Sequence, residues 1–151
     1  MAKFIYKMQN ILDIKCQMEE QAKITYSLAR KKLDDEEEKL RVLLNRKHEY
    51  EENYRELASS VLDVLSIVNC KKAIDLTKEK IKKQYIEIHV AEKNLEVARI
   101  KLNDVMVDRK TYEKLKEHEF DNFLRELDEQ EKKEIDELVS YRYNKKDMTG
   151  E

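Results

Sequence analysis

The run IDLTKEKIKKQYIEIHVAEKNLEVARIKLNDVMVDRKTY, from Ile74 to Tyr112, decides the fold. Every seventh residue from Ile74 gives Ile81, Ile88, Leu95, Leu102 and Arg109. A second row, three residues on, gives Thr77, Gln84, Ala91, Ala98, Val105 and Tyr112. Two rows spaced 3 and 4 lie on one face of a helix, and their strict period of seven is the seam of a coiled coil. The apolar face continues through Leu115, Phe120, Phe123, Leu124, Leu127, Ile135 and Leu138 with looser spacing.

A seam needs a partner, and the first half of the chain supplies one. Its row reads Phe4, Met8, Ile11, Lys15, Met18, Ala22, Thr25, Ala29, Leu33, Glu36, Leu40, Leu43, Lys47, Tyr50, Tyr54, Leu57 and Val61. One extra step of four separates Ala29 from Leu33, which reads as a stutter that relaxes the supercoil. Lys15, Glu36 and Lys47 are polar seam positions, of the kind that trade stability for register.

Composition agrees. The 151 residues include no Pro, no Trp and a single Gly, and 42% are charged. Without Gly and Pro the chain lacks the turn residues of sandwiches, barrels and doubly wound sheets. Glycine-rich phosphate loops cannot be written from it. Leu, Ile, Val and Phe make up about a quarter of the chain, above the range in which charged sequences stay unfolded. No run is long and apolar enough to cross a membrane. Cys16 and Cys70 read as two reduced thiols. The expectation is an all-α fold, a long antiparallel two-helix coiled-coil hairpin, as one domain over 1–151. Its helices span about 4–60 and 70–143, with a connection in 58–73 and a flexible tail over 144–151.

Charge suggests the pairing. Residues 1–15 carry net +2 and 117–137 net −7, while 49–56 carry net −3 and 78–83 net +3. A fold near residue 67 brings position i to about 134 − i and sets opposite charges face to face, as flanking charges do in coiled coils. The cluster Lys71, Lys72, Lys78, Lys80, Lys82 and Lys83 then either pairs with the glutamates of the first helix or meets an acidic protein surface or an anionic membrane. The same fold sets Ala22 and Ala29 opposite Tyr112 and Val105. The apolar run Val61–Val68 either packs down or forms a docking patch.

Three segments give the chain a family likeness. The opening, Phe4-Ile-Tyr-Lys-Met-Gln-Asn-Ile-Leu-Asp-Ile-Lys15, is followed by Glu19-Glu20-Gln21-Ala22-Lys23. Near the other end stand Asp108-Arg-Lys110 with Glu113-Lys-Leu-Lys-Glu117, then Glu129-Gln-Glu-Lys-Lys-Glu-Ile-Asp-Glu137. In this order they resemble the flagellar FliJ family, the coiled-coil component of the flagellar type III export apparatus. The resemblance implies a stalk-like rod that stimulates the hexameric export ATPase and couples it to the cytoplasmic domain of the export gate. It also implies an escort role for export chaperones, and a place in the cytoplasm at the membrane face of the flagellar base. By that likeness Leu43 and Tyr50 contact the gate. The terminal end, with Glu129, Gln130, Glu131, Lys132, Lys133, Asp136 and Glu137 beside Lys3, Lys7 and Lys15, contacts the ATPase. A needle-type secretion stalk and an unrelated coiled-coil scaffold or chaperone are the other readings.

Enzymatic motifs are missing from the sequence. No Ser-His-Asp or Cys-His set is readable, and His48, His89 and His118 read as surface residues. A two-helix layer has no concave interior in which to desolvate a nucleophile. No catalytic, cofactor or metal residues are expected, and the lysines lack the aromatic platform or groove-reading motif of a nucleic-acid binder.

Overall fold

A computed structural model describes residues 2–59 and 63–148. Two helices make up the architecture, α1 over Gln9–Ser59 and α2 over Val64–Met148, without a strand among the described residues. They pair antiparallel, which is the expected all-α coiled-coil hairpin. Both helices are long because no Pro interrupts them and no Gly precedes position 150. Helix α2 therefore continues through 144–148, where a flexible tail was expected; residues 149–151 lie outside the described ones.

The start of α2 is fixed by Asp63. Its carboxylate accepts from the Ser66 backbone N–H at 3.4 Å and from the Ser66 hydroxyl at 2.6 Å, and these bonds hold its pKa below the ordinary value. This is an N-cap, satisfying a helix donor that otherwise has no partner. Helix α2 thus begins at Val64, ahead of the expected residue 70. Of the run Val61–Val68, Val64 and Leu65 are exposed and Ile67 is half-buried; Val61 and Leu62 lie outside the described residues.

Contacts gather into two units, residues 1–19 with 105–151, and residues 20–104. In the second unit the core is the α2 seam against α1. Leu33, Ile88 and Ala91 form its centre, with Leu40 and Leu95 packed on them. Ile74, Thr77, Ile81, Gln84 and Ala98 are buried in their expected rows. In the first unit Val105 is buried, Arg109 and Tyr112 are half-buried, and Tyr6 and Leu12 come in from the other strand of chain.

The seam of α1 differs from the expected one. Leu12, Glu19 and Ala22 are buried and Tyr26 is half-buried, while Met8, Ile11, Met18 and Thr25 are exposed. The rows are therefore 12, 19, 26, 33, 40, 47, 54 and 15, 22, 29, 36, 43, 50, 57, with no inserted step and no stutter. An unbroken apolar row takes Met18 ahead of charged Glu19. The structure takes Glu19 because Arg109, in the α2 seam of the same unit, donates to it. An unbroken period of seven also avoids the local unwinding that a stutter imposes.

The register differs too. In the second unit the Gln84 amide donates to the Glu36 carbonyl at 2.8 Å and to its carboxylate at 2.6 Å, and the Cys70 thiol donates to the Tyr50 carbonyl at 3.2 Å. Position i meets 120 − i, a shift of two heptads from 134 − i. Heptad rows match again after any slip of seven, so the seam permits both registers. The glutamates of 49–56 consequently face the start of α2. They pair within α1, Glu51 with Lys47 at 3.7 Å and Glu52 with Arg55 at 3.7 Å. The lysines of 71–83 make no ion pair with α1 among the described residues. In the first unit Lys15 pairs with Asp108 at 3.3 Å, and Tyr112 takes the Tyr6 hydroxyl bond on its carbonyl and the Lys15 ammonium near its ring.

Candidate functional site

Two surfaces carry the residues singled out from the sequence, one in each unit. In the second unit, Leu43 and Tyr50 belong to the α1 seam and are both half-buried. Leu43 lines a shallow groove of about 330 Å³ with Glu38, Lys39, Val42, Arg46 and Gln84. The Tyr50 carbonyl accepts the Cys70 thiol at 3.2 Å. Both residues thus hold the seam with one edge and face solvent with the other. Val42 and Leu44 are exposed beside Leu43 and widen the apolar edge; sequence reading passed over them because neither lies in the seam.

Glu36 stands at the floor of this region, buried at 3% exposure. Lys32 reaches its carboxylate at 2.9 Å and Lys39 at 3.3 Å from the same helix, and Gln84 donates from α2. The Lys32 bond foremost, then the Gln84 bond, draws its pKa from 4.5 down to about 2. A carboxylate whose folded pKa is depressed stabilises the fold above its unfolded value and loses that contribution as pH falls toward the folded one. Melting temperature is expected to fall between about pH 4.5 and pH 2. Glu36→Gln should flatten part of that fall while lowering stability at pH 7; an unchanged acid limb in thermal melts would show that Glu36 does not couple.

The first unit carries the other surface. An extended segment before α1 lies on α2: the Phe4 ring meets Phe120 edge-on at 5.1 Å and Phe123 at 5.5 Å. The Tyr6 hydroxyl donates to the Tyr112 carbonyl at 3.0 Å, and burial, with Glu119 and Tyr112 nearby, pushes its pKa up. Gln9 accepts from Lys116 at 2.7 Å, and the Lys15 ammonium lies 5.9 Å from the Tyr112 ring centre. Arg109 sits among these, donating to Glu113 at 2.7 Å and to Glu19. These contacts place the basic N-terminal residues against 108–126. Lys3 and Lys7 line a cleft with Glu119 and Glu126, not with 129–137 as the sequence suggested. Residues 3 and 7 precede α1 in an extended stretch, so they do not follow the helical pairing that the sequence reading extrapolated to them.

The last twenty-one residues of α2, 128–148, are therefore exposed at every position. Glu129, Gln130, Glu131, Lys132, Lys133, Asp136 and Glu137 all stand on this segment, with Lys132 held to Asp128 at 3.3 Å. Its seam phase reads Glu126, Gln130, Lys133, Glu137 and Ser140, so no apolar row continues toward α1. Ile135, Leu138 and Tyr141 are exposed on another side, and Leu138 and Tyr141 line a groove with Glu134 and Glu137. The loss of apolar residues from the seam phase after Phe123 was the signal that the partner helix ends there. No cluster of three metal-ligating side chains occurs among the described residues. His48 and His89 each lie beside a glutamate of their own helix.

The sequence profile of the family described as "Flagellar FliJ protein" matches residues 4–147, nearly the whole chain. The chain belongs to the flagellar FliJ family. It is thereby a flagellar, export-associated protein. No curated protein matches it. Among solved structures, a candidate YscO homolog from Chlamydia trachomatis is similar, with 24% identity and a TM-score of 0.70 over 94% of this chain and 96% of that one. At that identity the likeness speaks to the fold alone. No helix among the described residues of this FliJ-family chain is long and apolar enough to cross a membrane.

Proposed function

We propose that this chain, acting as one coiled-coil domain over residues 1–151, is the stalk-like component that stimulates the flagellar export ATPase and couples it to the export gate. The observation that carries the reading is the segment 128–148 of α2, a mixed-charge helix exposed on all sides. A stalk inside a hexameric ring meets six equivalent subunits, and exposed polar contacts suit such a role better than one deep apolar lock. Glu129, Gln130, Glu131, Lys132, Lys133, Asp136 and Glu137 are the residues assigned to the ATPase, Leu43 and Tyr50 those assigned to the cytoplasmic domain of the gate. The protein is a binding component and not an enzyme, needs no cofactor, and works in the cytoplasm as a peripheral component at the membrane face of the flagellar base. Export chaperones are further partners. A needle-type secretion stalk shares the coiled-coil form; the family match over residues 4–147 favours the flagellar system.

The test is co-purification with the intact chain from a flagellated lysate, which is expected to retain the export ATPase and the gate protein. Recovery of neither overturns the proposal. The gate assignment has its own experiment. Tyr50→Ala is expected to weaken gate binding about tenfold or more, the loss of a partly buried aromatic at an interface. Its effect on melting temperature should be smaller than that of Leu33→Ala, because Tyr50 is less buried than the central seam. Unchanged affinity with lowered stability would make Tyr50 a packing residue only.

A further inference from the structure

Helix α2 has a second apolar row. Ile86, Val90, Val97 and Ile100 are spaced 4, 7 and 3, the same period of seven as the seam but five positions out of phase with it, with Lys93 at the skipped place. On a helix that phase is the side facing away from α1. The four side chains are 64%, 47%, 67% and 48% exposed, against 9% or less for Ile74, Ile81 and Ile88 in the seam. A helix apolar on one face packs one neighbour, and a helix apolar on two opposed faces is built for two.

The charges beside the row identify the second neighbour. In a parallel pairing of two identical helices, the residue just before one core position faces the residue five places further on in the partner. For this row those pairs are Asp75 with Lys80, Lys82 with Glu87, His89 with Asn94, and Glu96 with Lys101. All three charged pairs are of opposite sign, and the fourth is uncharged. Lys80, Lys82 and Lys101 make no ion pair within the fold among the described residues, and Glu96, held by Arg99 at 2.9 Å, is 54% exposed and open to a second cation. An anionic lipid surface is a poorer fit, because Asp75, Glu79, Glu87 and Glu96 stand on the same side. We infer that the outer face of α2 over residues 75–101 is a self-association surface, on which a second copy of this chain pairs parallel and in register through Ile86, Val90, Val97 and Ile100.

The pairing is weak by construction. Glu79, Lys83 and Lys93 lie in the phase of the row and each meets its own copy, and a polar core residue limits stability while favouring one register. Association is therefore reversible and concentration-dependent.

Sedimentation equilibrium of the full chain is expected to give a mass rising with concentration from 18.2 kDa toward twice that value. Val97→Glu, read with circular dichroism to show intact helices, should hold the chain at one copy. Glu96→Lys and Lys101→Glu should each weaken association, and the two together should restore it. Lys93→Leu should tighten it, since it removes the central like-charge contact. Single cysteines placed at position 97, in a chain with Cys16 and Cys70 replaced by Ser, should form a 97-to-97 disulfide between copies. A chain that stays single at all concentrations overturns the inference. So does association indifferent to Val97→Glu, or a charge reversal that the second reversal does not rescue.

Discussion

Replacing Lys132, Lys133, Asp136 and Glu137 together by alanine is expected to abolish stimulation of the export ATPase while leaving helix content and melting temperature nearly unchanged. The four residues sit on 128–148, where every position of α2 is exposed, so their removal withdraws no buried contact. Alanine also preserves helix propensity. Single substitutions should each have small effects, because exposed ion pairs contribute only about 0 to 1 kcal/mol. For the same reason stimulation should fall steeply as salt rises, with screening over roughly 10 Å at 0.1 M. Leu43 and Tyr50 lie in the other unit, and substituting them should leave stimulation intact. The measurement is ATP hydrolysis by the assembled hexamer against added chain, at several salt concentrations. If truncation after residue 127 stimulates as well as the full chain, the stalk assignment of this segment fails.

Much of this architecture can be read from the residues, and the failures share one cause. The α2 rows from Ile74 to Tyr112 are buried or half-buried at every expected position, because thirty-nine residues of strict period leave one face to bury. Partner register is another matter. A period of seven makes every slip of seven look alike, and block charges cannot choose between them when short-range pairs within one helix absorb the same residues, as Lys47–Glu51 and Arg55–Glu52 do. What selects the register is specific: Glu36 against Gln84, and Glu19 against Arg109. Both involve polar residues in a seam, where a search for apolar rows passes over Glu19 for Met18. Asp63 was hidden by the same habit, since it sits inside an apolar run yet caps α2. The candidate site divides likewise. The exposure of 129–137 is legible in the loss of apolar residues from the seam phase after Phe123, whereas the meeting of Lys3 and Lys7 with Glu119 and Glu126 depends on the register.

Arg109→Leu is expected to destabilise the first unit more than any other single seam substitution. The Glu19 side chain is 6% exposed and that of Arg109 18%, so the pair is largely withdrawn from water. Arg109→Leu takes from the buried Glu19 carboxylate its ion pair across the seam, and removing one partner of a buried pair costs more than the pair itself contributes. The loss should exceed that of Leu33→Ala, which stands at about 2 kcal/mol, the low end for core leucines, in so thin a layer. Glu19→Leu with Arg109→Leu should recover most of the stability, as buried ion pairs replaced by packed apolar residues often do. The recovery has a consequence for register. Once Glu19→Leu makes the row from Leu12 to Leu40 free of charge, a slip of one heptad no longer separates a carboxylate from its guanidinium. Spin labels at Asn10 and Glu117, both exposed in this unit, should report one distance in the natural chain. In the doubly substituted chain a second population is expected, displaced by one heptad, roughly 10 Å along the helix. Thermal melts and the distance distribution must move apart: stability restored, uniqueness lost. A doubly substituted chain with the natural single distance would place the register determinant elsewhere, and an Arg109→Leu chain that melts like the natural one would show that the buried pair contributes nothing.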